Sequence, residues 1–356
     1  MTINKKVITA VSGGVDSSVA MYILKEQGYD VLGATLRLFK DGEEHGCCSE
    51  QDILDAEKVC RGMDIPHRVI SYRESFIENV VKPFSDSYIR GETPNPCIVC
   101  NRRVKFKCMY DLCVEENYDK LATGHYARVR YDEGSGRWLL LKGLDAGKDQ
   151  SYVLYDLTQD MLSRTLFPVG ELSKAQVREI AEEQKFINSD KPDSQDICFI
   201  PDGDYGSFIQ KFAGFKSCEG DFVDVNGKVL GRHRGIIRYT TGQRRGLGVS
   251  ADRPLYVVRK DMENNRVVLG DEKDLHFARV QVRDVNLIAL GKLDQPVRVE
   301  AKIRYSQKTA SALLHPLDDG KALLEFDEPQ RAPTPGQSAV FYDGETVIGG
   351  GVIENR

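Results

Sequence analysis

The 356 residues are 41% apolar and 29% charged, with a net charge of −5, the make-up of an ordinary water-soluble globular chain. No apolar run reaches the length of a membrane span, and "MTINKKVITAVSGG" passes from a short polar start straight into a strand. A membrane protein and a secreted one are therefore not expected, and the cytoplasm is the expected location. Nine scattered cysteines, an odd number, argue for reduced thiols rather than a disulfide framework.

The length exceeds what one hydrophobic core usually serves, so two or three domains are expected. "KVITAVS" reads as a strand, "SSVAMYILKEQG" as a helix ending at Gly28 and "YDVLGATL" as a second strand. Ser49 and Asp52 have capping-box spacing at the head of the helix "EQDILDAEKVCRG". Then come a strand in "PHRVISY", a helix with an internal proline in "SFIENVVKPFSDSYIRG", a helix in "NRRVKFKCMYDLCVEEN" and a strand in "DKLATGH". Ser173 and Gln176 open one more helix, "SKAQVREIAEEQKF". Strand and helix in alternation imply an α/β domain with a parallel sheet covered on both faces. After about Asp202 the pattern changes. "DFVDVNGKVLG" carries an Asn-Gly hairpin signature, and "RVQVRDV", "PVRVEAKIRYS", "KALLEFD" and "QSAVFYDGETVIGGGVI" are short alternating strands. They imply an all-β tail, a small barrel or sandwich. The expected divisions are 1–202, 203–275 and 276–356.

Three features carry chemistry. "AVSGGVDSS", Ala10 to Ser18, lies where the first strand turns into the first helix, the place at which an open parallel sheet binds phosphates through backbone N–H groups and the helix dipole. It lacks the Gly-Lys-Ser/Thr ending of a Walker loop, so γ-phosphate transfer is not implied. "TPNPCIVCNRRVKFK" holds a Cys-x-x-Cys pair, which by itself suits half a zinc site, a redox disulfide, iron–sulfur ligands or a sulfur-transfer centre. Four basic residues crowd "NRRVKFK", and Val225 to Ala251 has six Lys or Arg and no acid. Two such runs in an acidic chain suggest a nucleic-acid footprint.

Ser-Gly-Gly-x-Asp-Ser resembles the pyrophosphate loop of ATP pyrophosphatases, which split ATP between its α and β phosphates and adenylate a substrate oxygen. With it, "TPNPCIVCNRRVKF", "ATGHYARV", "GKDQSYVLY", "DSQDICFIP", "YTTGQRRGLG" and "RYSQ" resemble the tRNA-specific 2-thiouridylase family from Val7 nearly to the C-terminus. The resemblance implies an adenine nucleotide alpha hydrolase-like first domain, a small central tRNA-binding domain and a C-terminal β-barrel. It implies ATP and Mg2+ as cofactors, a tRNA with a wobble uridine as substrate, and a sulfur donor protein that delivers persulfide.

Residue by residue, the resemblance gives Cys100 as the nucleophilic cysteine and Cys198 as the one that takes up persulfide sulfur. ATP falls to Ala10, Val11, Ser12, Gly13, Gly14, Val15, Asp16 and Ser17, with Leu36 and Gly124, and Asp16 helps to hold magnesium. The target-base segment is Asn95, Pro96 and Cys97. The tRNA-contacting segment is Lys148, Asp149 and Gln150, with His125, Arg304, Tyr305 and Gln337 as further contacts. In the implied chemistry, adenylation makes the uracil C2 oxygen a leaving group, and Cys100 attacks a persulfide on Cys198 to free its terminal sulfur.

Many relatives carry aspartate where this chain has Cys97. Cys97, Cys100 and Cys198 would also suit a four-iron cluster with one iron left open, so that alternative stands beside the persulfide route. Other rivals are a different ATP pyrophosphatase and a non-enzymatic iron–sulfur or zinc tRNA-binding protein. Cys108 and Cys60 read as core thiols, Cys47 and Cys48 as a loop pair, and His125 equally as a structural hydrogen bond or an RNA contact.

Overall fold

A computed structural model describes residues 5–38, 49–193 and 197–355; Cys47 and Cys48 lie outside them. In chain order the elements begin with β1 Lys6–Ala10, α1 Val15–Glu26, β2 Asp30–Arg37, α2 Glu50–Gly62, β3 His67–Ser71 and α3 Arg73–Phe76. They continue with α4 Lys82–Ile89, α5 Pro96–Cys100, α6 Phe106–Glu115, β4 Lys120–Ala122, β5 Ala127–Asp132, β6 Arg137–Lys142, α7 Gln159–Arg164, β7 Thr165–Leu166, α8 Lys174–Glu183 and α9 Tyr205–Ala213. The chain forms two compact units. One comprises the chain up to Val80, Pro96–Gly203 and Glu345–Val347; the other comprises Val81–Asn95, Asp204–Gly344 and the chain from Ile348 on.

The first unit holds a parallel sheet in the order β3-β2-β1-β4-β7. Val31 to Leu36 of β2 are all buried, as expected of an inner parallel strand covered on both faces. Val7, Val11, Val19, Met21 and Leu24 pack with Ala56, Val59 and Cys60 of α2 in one core. Each large side chain buried there contributes about 1.5–3 kcal/mol. Both expected capping boxes form, Ser49 with Asp52 and Ser173 with Gln176.

Two expected helices are interrupted. The run around Pro83 is α3, a π-helical turn at Ile77–Val81, and α4. Proline has no N–H to give the carbonyl four residues back, and a widened turn relieves that clash. A second π-helical turn, Asn101–Lys105, separates α5 from α6 immediately after Cys100.

The second unit contains β8 Gly220–Asp224, β9 Val229–His233, β10 Tyr256–Asp261 and β11 Arg266–Gly270, in the order β10-β11-β8-β9. The turn of the β8–β9 hairpin uses Gly227 at φ 88°, which glycine supplies without strain. Then follow β12 His276–Leu287, β13 Val297–Lys302, β14 Ala310–Pro316, β15 Ala322–Arg331, β16 Ser338–Asp343 and β17 Thr346–Ile353. They run β12-β15-β14-β13-β16-β17, and β12 pairs with β17 antiparallel from Val282↔Ile353 to Leu287↔Gly349. The tail is thus a closed six-stranded barrel around Val280, Val299, Leu314, Leu324 and Phe341.

Candidate active site

The sheet order reverses between β1 and β4, so the loops after these strands flank the crevice in which such sheets bind ligands. The first loop is Val11 to Gly14. Gly13 has φ 73°, and a Cβ there would collide with the Asp52 backbone. Gly14 caps α1 without a side-chain acceptor, which leaves first-turn N–H groups available to an anion. The serines stiffen the loop: Ser12 N–H donates to Ser17 Oγ (3.2 Å), while Ser17 and Ser18 hydroxyls donate to the Gly14 carbonyl at 3.0 and 3.1 Å. Thr35 Oγ1, beside buried Leu36, donates to the Val11 carbonyl at 2.7 Å, and His67 Nε2 lies 2.8 Å from the same hydroxyl. From the second loop, Gly124 approaches so closely that a Cβ would lie 2.6 Å from Ser17 N.

Residues 188–193 and the start of α8 complete this region. Asn188 Nδ2 donates to the Gly13 carbonyl and to Ser18 Oγ, both at 3.0 Å, and Lys191 Nζ reaches Gly13 O, Asp52 and Asp55. Asp16 Oδ1 accepts from Tyr126 Oη and from Lys174 Nζ, each at 2.7 Å. Burial and the Asp16 charge push the Tyr126 phenol far up, so it stays a donor. Lys174 also pairs with Asp193 at 2.7 Å, and Asp193 gathers Lys148 (2.8 Å) and Arg178 (3.3 Å).

Burial alone would raise the Asp193 carboxyl, but hydrogen bonds from Lys148 and Lys174 outweigh it and bring it down to about 2. A depressed acid stabilises the fold above its unfolded value and loses that contribution as pH falls through the folded one. With solvent screening of this partly exposed pair discounted, Asp193 is thus expected to supply about 1 kcal/mol at neutral pH, lost between about pH 4 and 2. Denaturant melts of the parent and Asp193→Asn should differ at pH 7 and converge toward pH 2.

The thiols have distinct settings. Cys97 is exposed and Cys100, at the end of α5, is buried. The turn after Cys100 is pinned by Asn101 Nδ2 donating to Val153 O (3.0 Å) and by Arg102 on the Asp156 carbonyl and carboxylate. Part of the basic run beside Cys100 is therefore already paired. Cys198 is half-buried, and its neighbour Phe199 packs edge-on against Phe76 with centroids 5.7 Å apart. Among the described residues no group of three His, Cys, Asp or Glu is gathered to hold a metal ion.

Cys60 and Cys108 are core thiols as expected, with Cys113 beside them in kind; burial drives all three to about 12. At pH 8 only about one in 10⁴ is thiolate, by the four-unit gap. Iodoacetamide with peptide mass spectrometry should label exposed Cys97 and Cys218 and spare Cys60, Cys108 and Cys113 in the folded protein.

In the segment after β6, Asp149 accepts from Gly143 N and Ser151 N, both at 3.1 Å. Gln150 is bonded to the Tyr126 backbone in both directions at 2.9 Å. Lys148 is the cation of that trio. His125 bonds Thr123 Oγ1 at 2.8 Å between Phe106 and Phe167. Burial, with Lys105 nearby, lowers its ring to about 3, so it is a neutral, packed imidazole. In the second unit, Gln337 Nε2 donates to Thr93 O at 2.6 Å, two residues before Asn95. Arg304 donates to Thr241 O, Ala332 O and Thr334 Oγ1, while Tyr305 is exposed.

Comparison with known proteins decides which family built this site. The family model of the tRNA methyl transferase HUP domain matches residues 5–202, that of the tRNA methyl transferase PRC-barrel domain 206–271, and that of the aminomethyltransferase beta-barrel domain 278–353. The tRNA-specific 2-thiouridylase MnmA of Acetivibrio thermocellus is 49% identical over 98% of this chain and 99% of its own. That of Clostridioides difficile (strain 630) is 48% identical over 99% of each. The chain belongs to the tRNA-specific 2-thiouridylase family. Among solved structures, the U34-tRNA thiolase NcsA from Methanococcus maripaludis with its [4Fe-4S] cluster aligns at TM-score 0.36 and 20% identity, over 59% of this chain and 70% of that one; the likeness is too remote to bear on mechanism.

Within this family member, Tyr126, Lys174, Asn188, Lys191 and Asp193 join the loop without having been singled out by sequence. Lys174 reads there only as the first residue of a capped helix. Asp193 carries one signal: it stands five residues before Cys198, in "DKPDSQDICF".

Proposed function

We propose that this chain places sulfur at C2 of the wobble uridine of tRNA. ATP adenylates the uracil oxygen, and a cysteine persulfide carries the sulfur. The observation that carries this reading is the loop at the sheet's switch point, with its open helix N-terminus and close-fitting Gly13 and Gly124, in a chain whose full-length relatives are tRNA-specific 2-thiouridylases. Ala10 to Ser17 bind the ATP phosphates, with Leu36 and Gly124 lining the nucleotide. Asp16 is a carboxylate of the type a magnesium ion takes alongside phosphates; when bound, that ion neutralises phosphate charge.

Sulfur transfer closes with balanced atoms. The Cys100 thiolate attacks the inner sulfur of a Cys198 persulfide, a disulfide forms, and hydrosulfide leaves. Hydrosulfide adds at the adenylated C2, AMP departs with its oxygen, and an external thiol reduces the disulfide. A sulfur donor protein recharges Cys198. Asn95, Pro96 and Cys97 receive the uridine, unstacked from the single-stranded anticodon loop. Lys148 and exposed Tyr305, with exposed Arg232, Arg234, Arg244 and Arg245 from the acid-free stretch, grip tRNA. The working divisions are 1–202, 203–275 and 276–356, and the reaction is cytoplasmic.

Nucleoside mass spectrometry of tRNA from cells lacking this gene tests the reading. Loss of 2-thiouridine, restored by the parent chain but not by Cys198→Ser, supports it; unchanged 2-thiouridine in cells without a second copy overturns it.

A further inference from the structure

Nucleotide loops of the Walker type carry a lysine that reaches the β and γ phosphates, and "AVSGGVDSS" has none. Any side-chain cation for the phosphates therefore comes from elsewhere in the fold. Among the described residues, two lysines reach this loop's own residues. Lys191 grips the Gly13 carbonyl, with its ammonium held by Asp52 and Asp55, so it braces the backbone. Lys174 instead lies on Asp16, in the first turn of α1, beside N–H groups that no side chain caps.

The setting of Lys174 is rigid. It is the first residue of α8, whose capping box fixes the turn, and its own N–H donates to Asp145 Oδ2 at 2.9 Å. Its side chain is only 12% exposed and is suspended at 2.7 Å from Asp16 and at 2.7 Å from Asp193. Asp193 in turn is held by Lys148 and Arg178. The cluster gathers Lys148, Lys174 and Arg178 with Asp16, Asp193 and, through the Lys174 N–H, Asp145; it sets an ammonium beside the open end of a helix, where a polyphosphate gains from it.

We propose that Lys174 is a phosphate ligand of the bound nucleotide that meets the charge of departing pyrophosphate, and that Asp193 is its positioning residue. This rests on the thiolation reading above. In the step concerned, the uracil C2 oxygen attacks the α-phosphorus of ATP. The new O–P bond forms, the bond from that phosphorus to the bridging oxygen breaks, and pyrophosphate leaves with the electron pair. The uracil N3 proton goes to solvent, and Lys174 stays protonated throughout. Because leaving-group charge grows only as that bond breaks, the ammonium acts more on the transition state than on ground-state binding.

The test compares the full-length parent with Lys174→Met, Lys174→Arg and Asp193→Asn. Single-turnover AMP formation from MgATP with tRNA is measured, together with direct titration by inorganic pyrophosphate, tRNA filter binding and thermal melting. Lys174→Met should slow AMP formation by about 10²-fold or more, weaken pyrophosphate binding at least about tenfold and leave tRNA binding unchanged. Lys174→Arg, which keeps the charge, should recover part of both losses, and Asp193→Asn should fall between it and Lys174→Met. AMP formation by Lys174→Met within about threefold of the parent would overturn the assignment alone. So would Lys174→Arg losing pyrophosphate binding as fully as Lys174→Met, because a charge-independent loss marks a structural role. A parent that makes no AMP with tRNA would overturn the thiolation reading and this assignment with it.

Discussion

Cys198→Ser is expected to cut 2-thiouridine formation by on the order of 10³-fold or more, the scale of losing a nucleophilic centre, with nucleotide binding retained. Serine matches the cysteine in shape but cannot hold a persulfide sulfur. Cys198 is half-buried, so stability should change by less than about 1 kcal/mol. The informative partner is Cys97→Ser. Cys97 is exposed and stands at the second position of α5; a persulfide mechanism that uses Cys100 and Cys198 should survive its loss within about tenfold. A mechanism that needs three thiolates would fail with it. Thiolation by Cys198→Ser at the parent rate would remove Cys198 from the chemistry.

Gly13→Ala is expected to destabilise the protein by about 2–4 kcal/mol, through left-handed strain and a backbone collision, and to weaken ATP binding at least about 10²-fold. Its added methyl meets the Asp52 backbone, which cannot swing aside as a side chain would. Asp52 is itself fixed, in a capping box with Ser49 and by Lys191 at 2.5 Å. The control is Gly28→Ala. Gly28 has a similar φ of 82° but open space around it, so it should show only the conformational cost of about 1–2 kcal/mol and keep its affinity for ATP. Isothermal titration with denaturant melts separates the two. Equal affinities would show that the loop's close approach to α2 is not needed for the nucleotide.

Where local chemistry decides structure, the sequence was informative. The strand, glycine loop and helix at Ala10–Ser18, the boxes at Ser49 and Ser173 and the hairpin at Gly227 all follow from residues close in the chain. Strands β10 and β11 and the β5–β6 hairpin carry no strong sequence signal: arginines interleave with the apolar positions of β5, and β6, β10 and β11 are short apolar runs beside charged residues with no alternation. Strand β14 is "ASALLHP", rich in helix formers; pairing with β13 and β15 sets its state. The site divides the same way. The loop glycines are local, but Lys174 meets Asp16 across 158 positions, a juxtaposition that only the fold creates. Long range also explains Arg304 and Gln337, whose side chains bond backbone oxygens of the second unit.

The central claim is that one ATP is split to AMP for each uridine thiolated. The most direct measurement supplies the purified chain with an unmodified tRNA transcript, MgATP, a persulfide donor and a thiol reductant, then counts AMP and 2-thiouridine together. One AMP and one pyrophosphate per 2-thiouridine is the expected result. ADP and inorganic phosphate in their place, or 2-thiouridine formed without ATP, would contradict it.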